Sequence, residues 1–329
     1  MELTIRQKQL LEILSINCRF SNKDIAKSLR CSEDAVEYQI KKLIEEDKLA
    51  KFSIQFDYSL LGYTHYHMLL RVKDLNIDYN SLSKIPEIIS INSSYGKYDL
   101  QLIILVKSKE ELEKVRKEVQ DIVDIQEIAM AEFHSFIKKF TNVIPPINVD
   151  AKIPQNRKNK IYTLNKKEYY FSEDRSLIKL DNIDKKIISE LIKNPRIKFS
   201  DISEKTGLNQ ETIRYRVNGY AERGFVTNFG LLHNFQEYGL YTTQLLLNLK
   251  EVSKELKDFL KKNEHIFYAP HLIGSYNGVI YIVSRNPLEL AEKLKEIRSI
   301  LKKDLIDMDL LHMEKIYKYL QFPMKELDK

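Results

Sequence analysis

The fold of this chain is decided by the stretch Gly207-Leu208-Asn209-Gln210-Glu211-Thr212-Ile213-Arg214-Tyr215-Arg216-Val217. It begins with a flexible glycine, continues with an Asn that is a favoured helix N-cap, and then spaces its last two aliphatic residues by one helical turn. We expect this helix to cover Asn209–Arg223, after two amphipathic helices at Asn182–Asn194 and Ser200–Thr206. A short strand pair is expected near Phe225–Leu232. Three helices and a strand pair in this order predict a winged helix-turn-helix.

The same pattern occurs earlier in the chain. Ile25–Lys73 aligns without a gap with Ile202–Lys250, at an offset of 177 residues, and further on an offset of 178 pairs Gly96 with Gly274. A repeat of this length is a duplicated domain pair rather than a solenoid module. The helices of the first winged helix are therefore expected at Thr4–Asn17, Ser21–Leu29 and Ser32–Asp47.

The remainder of each copy alternates strand and helix periods in the order β-α-β-β-α-β, which is the ferredoxin-like plan. In the first copy we expect these elements at Thr64–Val72, Tyr79–Lys84, Ile88–Ser94, Tyr98–Val106, Lys109–Asp121 and Ile125–His134. In the second copy they are expected at Thr242–Leu249, Ser253–Asn263, Ile266–Ile273, Val279–Ser284, Pro287–Leu301 and Ile306–His312.

The fold class is therefore α+β, with two winged helix-turn-helix domains and two ferredoxin-like βαββαβ domains in tandem. The predicted domain organisation is a winged helix at 1–60, a ferredoxin-like domain at 61–140, a basic, proline-containing linker at 141–180, and a second such pair at 181–238 and 239–329. Part of the linker, Tyr162–Tyr170, has the pattern of a hairpin.

Composition restricts the class of protein. The 329 residues are 43% hydrophobic, enough for several compact cores, and the net charge of +6 is compatible with a polyanionic partner. The opening residues alternate charge with apolar side chains, so we expect neither a secretory signal nor a membrane anchor, and a cytoplasmic location. Two cysteines, Cys18 and Cys31, lack the spacing of a zinc site or a disulfide framework. No cofactor, metal or catalytic residue is expected.

The stretch at 207–217, followed by Gly224-Phe225-Val226, resembles the turn, recognition helix and wing start of the Lrp/AsnC family of bacterial and archaeal regulators. The stretch Arg19-Phe20-Ser21-Asn22-Lys23-Asp24-Ile25 is similar to the entry to that family's second helix. The resemblance implies a transcriptional regulator in which a DNA-binding winged helix is joined to a ferredoxin-like domain, called RAM, that senses a small effector and mediates dimerisation. The expected partners are double-stranded DNA and an amino acid or other small effector.

The two copies differ where DNA would be read. Glu37 and Gln39 of the first copy stand where the second has Arg214 and Arg216, and carboxylates repel phosphates. We therefore expect the second winged helix to carry DNA binding and the first to bind weakly or not at all. The candidate DNA-binding residues are Asn209, Gln210, Thr212, Arg214, Tyr215, Arg216, Asn218 and Arg223.

A candidate effector site lies at the strand-to-strand loop of each RAM domain. Gly96 and Gly274 match the glycine of the family's effector loop, and Asp99 fits its G-x-x-D pattern, whereas Asn277 replaces the acid in the second copy. An ammonium group needs a counter-charge, so we expect binding beside Gly96 and Asp99. The alternative is that both glycines are hairpin residues that need positive φ.

Duplication also predicts how the copies are arranged. The resemblance implies subunits that pair through their RAM domains, so we expect the two RAM domains of one chain to form an intrachain pseudo-dimer. Two chains are expected to associate further, as a homo-oligomer, to present two Arg-bearing helices to a palindromic site.

Two alternative functions remain open. Siroheme decarboxylases are also Lrp/AsnC-like and would explain a degenerate DNA helix, although their histidine- and tyrosine-rich motif has no good counterpart in this sequence. A winged helix can also bind protein, which would make the chain an adaptor. The expectation remains a regulator and not an enzyme.

Overall fold

The computed structural model describes residues 3–46, 49, 51–138, 151–154, 176–233 and 235–327. Most of the predicted linker, including the hairpin expected at Tyr162–Tyr170, lies outside these residues. The two parts of the linker that are described, residues 151–154 and 176–180, have neither helix nor strand. They contact the first copy, because the Ala151 N–H donates to Glu12 Oε2 at 3.0 Å and the Ile178 N–H donates to the Leu60 carbonyl oxygen at 2.7 Å.

Both winged helices begin with the three predicted helices. In the first copy these are α1 (Ile5–Ile16), α2 (Asn22–Leu29) and α3 (Glu33–Glu45). Side chains at the N-caps set where each helix starts: Thr4 and Gln7 form a full capping box on α1, and Ser32 caps α3. At α2 the Ser21 Oγ accepts the Asp24 N–H at 3.1 Å, and the Ser21 hydroxyl donates to Asp24 Oδ2 at 2.7 Å.

The second copy forms α6 (Asn182–Lys193), α7 (Phe199–Thr206) and α8 (Gln210–Glu222). Gly207 ends α7 with φ +72°, and the Asn209 side chain accepts the Glu211 N–H at the start of α8. The helix break read from the sequence is therefore confirmed.

The strand pair expected as a wing forms between the copies. β1 (Lys51–Phe56) follows α3, and β6 (Val226–Leu232) follows α8; the two pair antiparallel with each other as a separate two-stranded sheet. Each winged helix thus supplies one strand of a shared sheet, which joins the two DNA-binding-type domains directly.

Each copy also contains the predicted β-α-β-β-α-β unit. The first unit is β2 (Thr64–Val72), α4 (Tyr79–Lys84), β3 (Ile88–Gly96), β4 (Leu100–Val106), α5 (Lys109–Ile122) and β5 (Ile125–Lys138). The second is β7 (Tyr241–Leu249), α9 (Lys254–Lys262), β8 (Ile266–Gly274), β9 (Gly278–Ser284), α10 (Pro287–Leu301) and β10 (Leu305–Tyr319).

The two units close into one eight-stranded sheet in the order β10-β3-β4-β2-β5-β8-β9-β7. The last strand of each copy makes this possible. β5 pairs with its own β2 over Ile125–Glu132 and then with β8 of the other copy over Ala131–Lys138; β10 divides in the same way between β7 and β3. The intrachain pseudo-dimer predicted from the duplication is therefore present, and it leaves the eight strands without a free edge.

Three apolar cores support this arrangement. The strands of each copy form one four-stranded half of the eight-stranded sheet. One core lies between the first half and helices α4 and α5, and another lies between the second half and helices α9 and α10. The third core is continuous through both winged helices and the inner faces of the two halves of the eight-stranded sheet. Leu69 and Leu246 occupy equivalent positions on these inner faces, and both are buried. Because this core contains residues of both copies, neither copy retains its whole apolar interior without the other.

Two equivalent arginines fasten the winged helices to each other. Arg19 donates from Nη1 to the carbonyl oxygen of Pro195 at 2.6 Å, and Arg196 donates from Nη1 to the carbonyl oxygen of Cys18, which occupies the position equivalent to Pro195. The Cys18 N–H also donates to the Phe229 carbonyl oxygen at 2.9 Å. These reciprocal contacts, with the shared sheet, hold α3 and α8 in one fixed relation.

Candidate nucleic-acid interface and RAM loops

The exposed face of α8 carries part of the predicted DNA-binding set. Gln210, Arg214, Tyr215 and Arg223 are exposed, and Tyr215 is 77% accessible. Arg214 pairs with Glu211 of the same helix, with Nη1 2.9 Å from Oε1, an exposed contact that contributes little to stability. An exposed ion pair of this kind can exchange its carboxylate for a phosphate, so these side chains remain suited to contacting DNA.

Arg216, in contrast, is directed back into its own domain. Its Nη1 lies 3.1 Å from Asp184 Oδ1 and its Nη2 lies 2.8 Å from Asp181 Oδ2, and the side chain is only 29% exposed. Burial opposes the charge of Arg216, but the two carboxylates raise its pKa. The Tyr220 hydroxyl donates to the same Asp184 oxygen at 2.6 Å. In this arrangement the Arg216 guanidinium joins α8 to α6, and the predicted contact of Arg216 with DNA stays a prediction.

The equivalent positions of the first copy explain this difference. Gln7 stands where the second copy has Asp184, Gln39 stands where it has Arg216, and both glutamines are partly or fully buried. Two neutral amides thus occupy the positions of the ion pair: Gln7 Oε1 accepts the Thr4 N–H at 2.9 Å, and Gln39 Oε1 is buried without a hydrogen-bond partner among the described residues. The Arg216/Gln39 contrast therefore reflects packing between helices, and only the Arg214/Glu37 contrast lies on an exposed surface.

The remaining predicted DNA-binding residues have local roles. Asn209 caps α8, Thr212 is half-buried, and the Asn218 Oδ1 atom is buried without a hydrogen-bond partner among the described residues. The exposed members of the set are therefore Gln210, Arg214, Tyr215 and Arg223, together with the N-cap Asn209, whose Oδ1 accepts the Glu211 N–H.

The exposed face of α3 is acidic. Its exposed charged side chains are those of Glu33, Asp34, Glu37, Lys41 and Glu45, and Lys41 lies 3.8 Å from Glu45. Tyr38 is 61% exposed and stands at the position equivalent to Tyr215. The two helices thus share an exposed tyrosine and differ in the sign of the charge around it.

The two loop glycines are required by the contact between the copies. Gly96 has φ +124°, and a Cβ there would lie 2.5 Å from the carbonyl oxygen of Leu310 in β10; at Gly274, with φ +146°, it would lie 2.4 Å from that of Met130 in β5. Only glycine permits both the conformation and the approach. The alternative interpretation, a glycine needing positive φ, accounts for both residues, and each marks the point where the other copy's last strand passes.

Asp99 also has a structural partner. Its Oδ2 accepts the Val72 N–H at 2.9 Å, and at the equivalent place in the second copy Asn277 Oδ1 accepts the Leu249 N–H at 2.8 Å. The Asp99 carboxylate and the Asn277 amide therefore have the same structural role, which is to accept the backbone N–H at the end of the first strand of their own unit. The expectation that Asp99 is retained as an effector carboxylate is not supported by this arrangement, since the residue type does not change the role.

One polar cluster was not predicted from the sequence. A small cavity between the two halves of the eight-stranded sheet is lined by His67, Gln101 and Tyr276, among apolar residues. His67 is buried and neither ring nitrogen has a hydrogen-bond partner among the described residues; its ring stacks on His65, with centroids 4.9 Å apart. Burial lowers the pKa of His65 to about 4 and holds that of His67 well below its usual value, so both rings are neutral at pH 7. The alternation His-x-His on a predicted strand was the available signal.

Two tyrosines bridge the copies next to this cavity. The hydroxyl groups of Tyr98 and Tyr276, at equivalent positions, lie 3.3 Å apart; Tyr98 donates to Glu127 and Tyr276 to Asp309. Burial raises the pKa of Tyr276, so it stays protonated. Among the described residues there is no group of three or more His, Cys, Asp or Glu side chains placed to hold a metal ion. Within the same residues, no helix combines the length and apolar character needed to cross a bilayer.

Fold and site together define a class: two winged helices and two ferredoxin-like domains joined as a pseudo-dimer in one chain. The family model of the AsnC-type helix-turn-helix domain matches residues 180–219, which contain α6, α7 and most of α8. The HTH-type transcriptional regulator FL11 of Pyrococcus furiosus is 32% identical over 123 residues, covering 37% of this chain and 82% of FL11. The FL11 protein of Pyrococcus abyssi is 31% identical over 125 residues, covering 37% and 83%. The chain belongs to the Lrp/AsnC family of HTH-type transcriptional regulators.

A solved structure shares the whole tandem fold. The siroheme decarboxylase NirDL superposes with a TM-score of 0.57 over 98% of this chain and 98% of its own, at 13% sequence identity. At that identity the likeness shows the fold alone. It establishes that two winged helices and two ferredoxin-like units in a single chain form a known architecture.

Proposed function

We propose that this protein is a sequence-specific DNA-binding transcriptional regulator that reads DNA with the exposed face of α8. The observation that carries the proposal is that α8, most of which the AsnC-type domain matches, presents Gln210, Arg214 and Tyr215 to solvent, with the exposed C-cap residue Arg223 at its end. Arginine and glutamine side chains pair with guanine and adenine edges in the major groove, and a tyrosine hydroxyl bonds phosphate oxygens. Membership of a family of HTH-type regulators supports the same function.

The test compares equivalent substitutions in the two copies. Duplexes are first selected from a random-sequence library by the wild-type protein, and binding is then followed by fluorescence anisotropy at a stated salt concentration. Arg214→Ala with Tyr215→Ala should weaken binding about 10- to 100-fold, the loss that corresponds to one to two base-edge contacts.

The matched control is Glu37→Ala with Tyr38→Ala, which alters the equivalent exposed positions of α3. We expect unchanged or slightly tighter binding, because a carboxylate has been removed. Equal losses in both double variants would refute the assignment to α8, and failure to select any sequence would refute the function itself.

A second candidate function is that of a siroheme-decarboxylase-like enzyme. The specific observation in its favour is the stacking of the half-buried His65 on the buried His67, with both Nε2 atoms buried and without hydrogen-bond partners among the described residues. A neutral imidazole nitrogen can ligate the iron of a tetrapyrrole, but the small cavity beside His67 would have to open to admit one. Titration with siroheme, followed by absorbance, should then give a saturable spectral shift that is lost in His65→Ala with His67→Ala and kept in the exposed-residue control His134→Ala. No spectral shift would remove this candidate.

An effector site at Asp99 is not part of the proposal, since that carboxylate is engaged by the Val72 N–H. A protein-binding adaptor role remains the outcome that would follow if neither DNA nor siroheme bound.

A further inference from the structure

The two winged helices behave as one body, although only one has a surface suited to DNA. β1 and β6 pair from Lys51↔Leu232 to Phe56↔Val226. Arg19 and Arg196 donate reciprocally to backbone carbonyl groups of the opposite copy. Whenever α8 approaches a duplex, α3 is therefore carried with it in a fixed orientation.

The C-terminal segment reinforces this connection. Phe322, which is fully buried, packs on Phe56 of β1 with ring centroids 4.8 Å apart and on Phe225 at 6.4 Å. Gln321 Oε1 accepts the Ile54 N–H at 2.8 Å. The segment that follows β10 thus holds the shared sheet against the eight-stranded body, so α3 has no independent hinge among these contacts.

On this fixed pair the exposed charges are unequal. Around its exposed tyrosine, α3 carries Glu33, Asp34, Glu37 and Glu45 against Lys41, whereas α8 carries Arg214 and Arg223 against Glu211 and Glu222. Each cation placed at a phosphate adds counterion release to the affinity, while a carboxylate adds repulsion. Extending DNA from α8 towards α3 therefore brings the duplex to a helix whose exposed carboxylates outnumber its exposed cation, Lys41.

We infer that one chain binds a single half-site, and that the pseudo-dimer does not read a palindrome by itself. An inverted repeat is then occupied by two chains, each contributing its α8. This inference rests on the proposed DNA-binding function and specifies the target of that same site: an asymmetric duplex element of one half-site per chain.

The sequence offers a gain-of-function test. Glu33→Gln with Glu37→Arg gives α3 the exposed residues that α8 has at Gln210 and Arg214, next to the tyrosine that both helices already possess. Both positions are exposed, so the core is untouched. A control with the same change in charge, Glu255→Gln with Glu292→Arg, alters exposed residues of α9 and α10.

The experiment uses the full chain and two probes: the library-selected half-site, and an inverted repeat of it with centres about one helical turn apart, at 10–10.5 base pairs. Chains per duplex are measured by analytical ultracentrifugation. We expect one wild-type chain on the half-site and two on the repeat. The E33Q/E37R variant should bind the repeat as a single chain, at least about tenfold more tightly than the half-site, and the control should behave as wild type.

A single wild-type chain that occupies both halves of the repeat would overturn the inference and leave the proposed function intact. A variant that gains no single-chain binding to the repeat would overturn the charge argument. If the wild-type protein selects no sequence at all, the proposed function fails and the inference fails with it.

Discussion

Gln101 and Gln244 exchange side-chain hydrogen bonds across the interface between the two halves of the eight-stranded sheet. Gln101 Nε2 donates to Gln244 Oε1 at 3.1 Å, and Gln244 Nε2 donates to Gln101 Oε1 at 2.8 Å. Both side chains are almost fully buried. They are not equivalent positions of the repeat, so this contact is a product of divergence between the copies. It gives the interface a polar pair that both copies must supply.

Replacing one glutamine of this pair should lower the free energy of unfolding more than replacing both. Gln101→Ala leaves the Gln244 amide buried without its partner, and we expect the free energy of unfolding to fall by ~1–3 kcal/mol, whereas Gln101→Leu with Gln244→Leu should lie nearer to wild type. Urea denaturation followed by circular dichroism measures both. A double variant less stable than the single one would contradict this explanation.

The loop glycines should be intolerant of a methyl group. Gly96→Ala and Gly274→Ala each place a Cβ against a backbone oxygen of the other copy, at a φ that L-residues rarely adopt. We expect each to lower the thermal midpoint by several degrees. Gly219→Ala is the control, because no atom lies within 4 Å of its Cβ position and its helix should gain up to ~1 kcal/mol. Equal midpoints for all three variants would show that the close approach is unimportant.

The ion pair between Asp184 and Arg216 should behave as a structural unit. Arg216→Gln copies the first copy's residue but leaves the buried Asp184 carboxylate without its cation, and we expect a loss of about 1–3 kcal/mol. Adding Asp184→Gln, which reproduces the Gln7 and Gln39 pair, should recover part of that stability.

DNA affinity separates this structural role from DNA contact. If Arg216 only joins α8 to α6, Arg216→Gln with Asp184→Gln should bind the selected duplex with an affinity within about threefold of wild type. That change is smaller than the loss expected on removing one good base-edge contact. A tenfold or greater loss in a variant of recovered stability would mean that Arg216 also touches DNA.

Stability should fall in mild acid because of buried histidines. Burial lowers the pKa of His65 to about 4 and holds that of His67 well below its usual value, while both titrate near 6.5 in the unfolded chain. Since the unfolded state then binds more protons, the stability present above pH 6.5 is lost as the pH falls towards 4. Burial also lowers the pKa values of His271 and His312, which adds to the effect. In His65→Gln with His67→Gln, urea midpoints between pH 7 and 4.5 should change less steeply than in wild type, and an unchanged slope would refute the assignment.

The two halves of the chain should need each other. Each last strand is completed by the opposite copy, and β1 pairs with β6, so fragments 1–154 and 176–329 should form a one-to-one complex when mixed. Size-exclusion chromatography with light scattering measures the stoichiometry. Two homodimers that ignore each other would show that the cross-copy contacts are not specific.

Much of the fold could be predicted because its signals are local. Asn209 and Ser32 cap the helices that directly follow them in the sequence, and Gly207 ends a helix because it adopts a positive φ. Alternating apolar residues mark the strands of the eight-stranded sheet. The length of the repeat identified two copies of one domain pair. The second halves of β5 and β10 could not be recognised, since they are strands only where the other copy supplies a partner.

The candidate site divides in the same way. The amino-acid sequence by itself determined the tandem fold, the family and the charge contrast between Glu37 and Arg214, because each is a property of residue type and spacing. Only the tertiary structure decided that Arg216 faces Asp184, that Asp99 binds the Val72 N–H, and that Gly96 and Gly274 lie under a strand of the opposite copy. Direction and partnership of a side chain depend on residues far away along the chain, and a pattern of spacing contains no such distances.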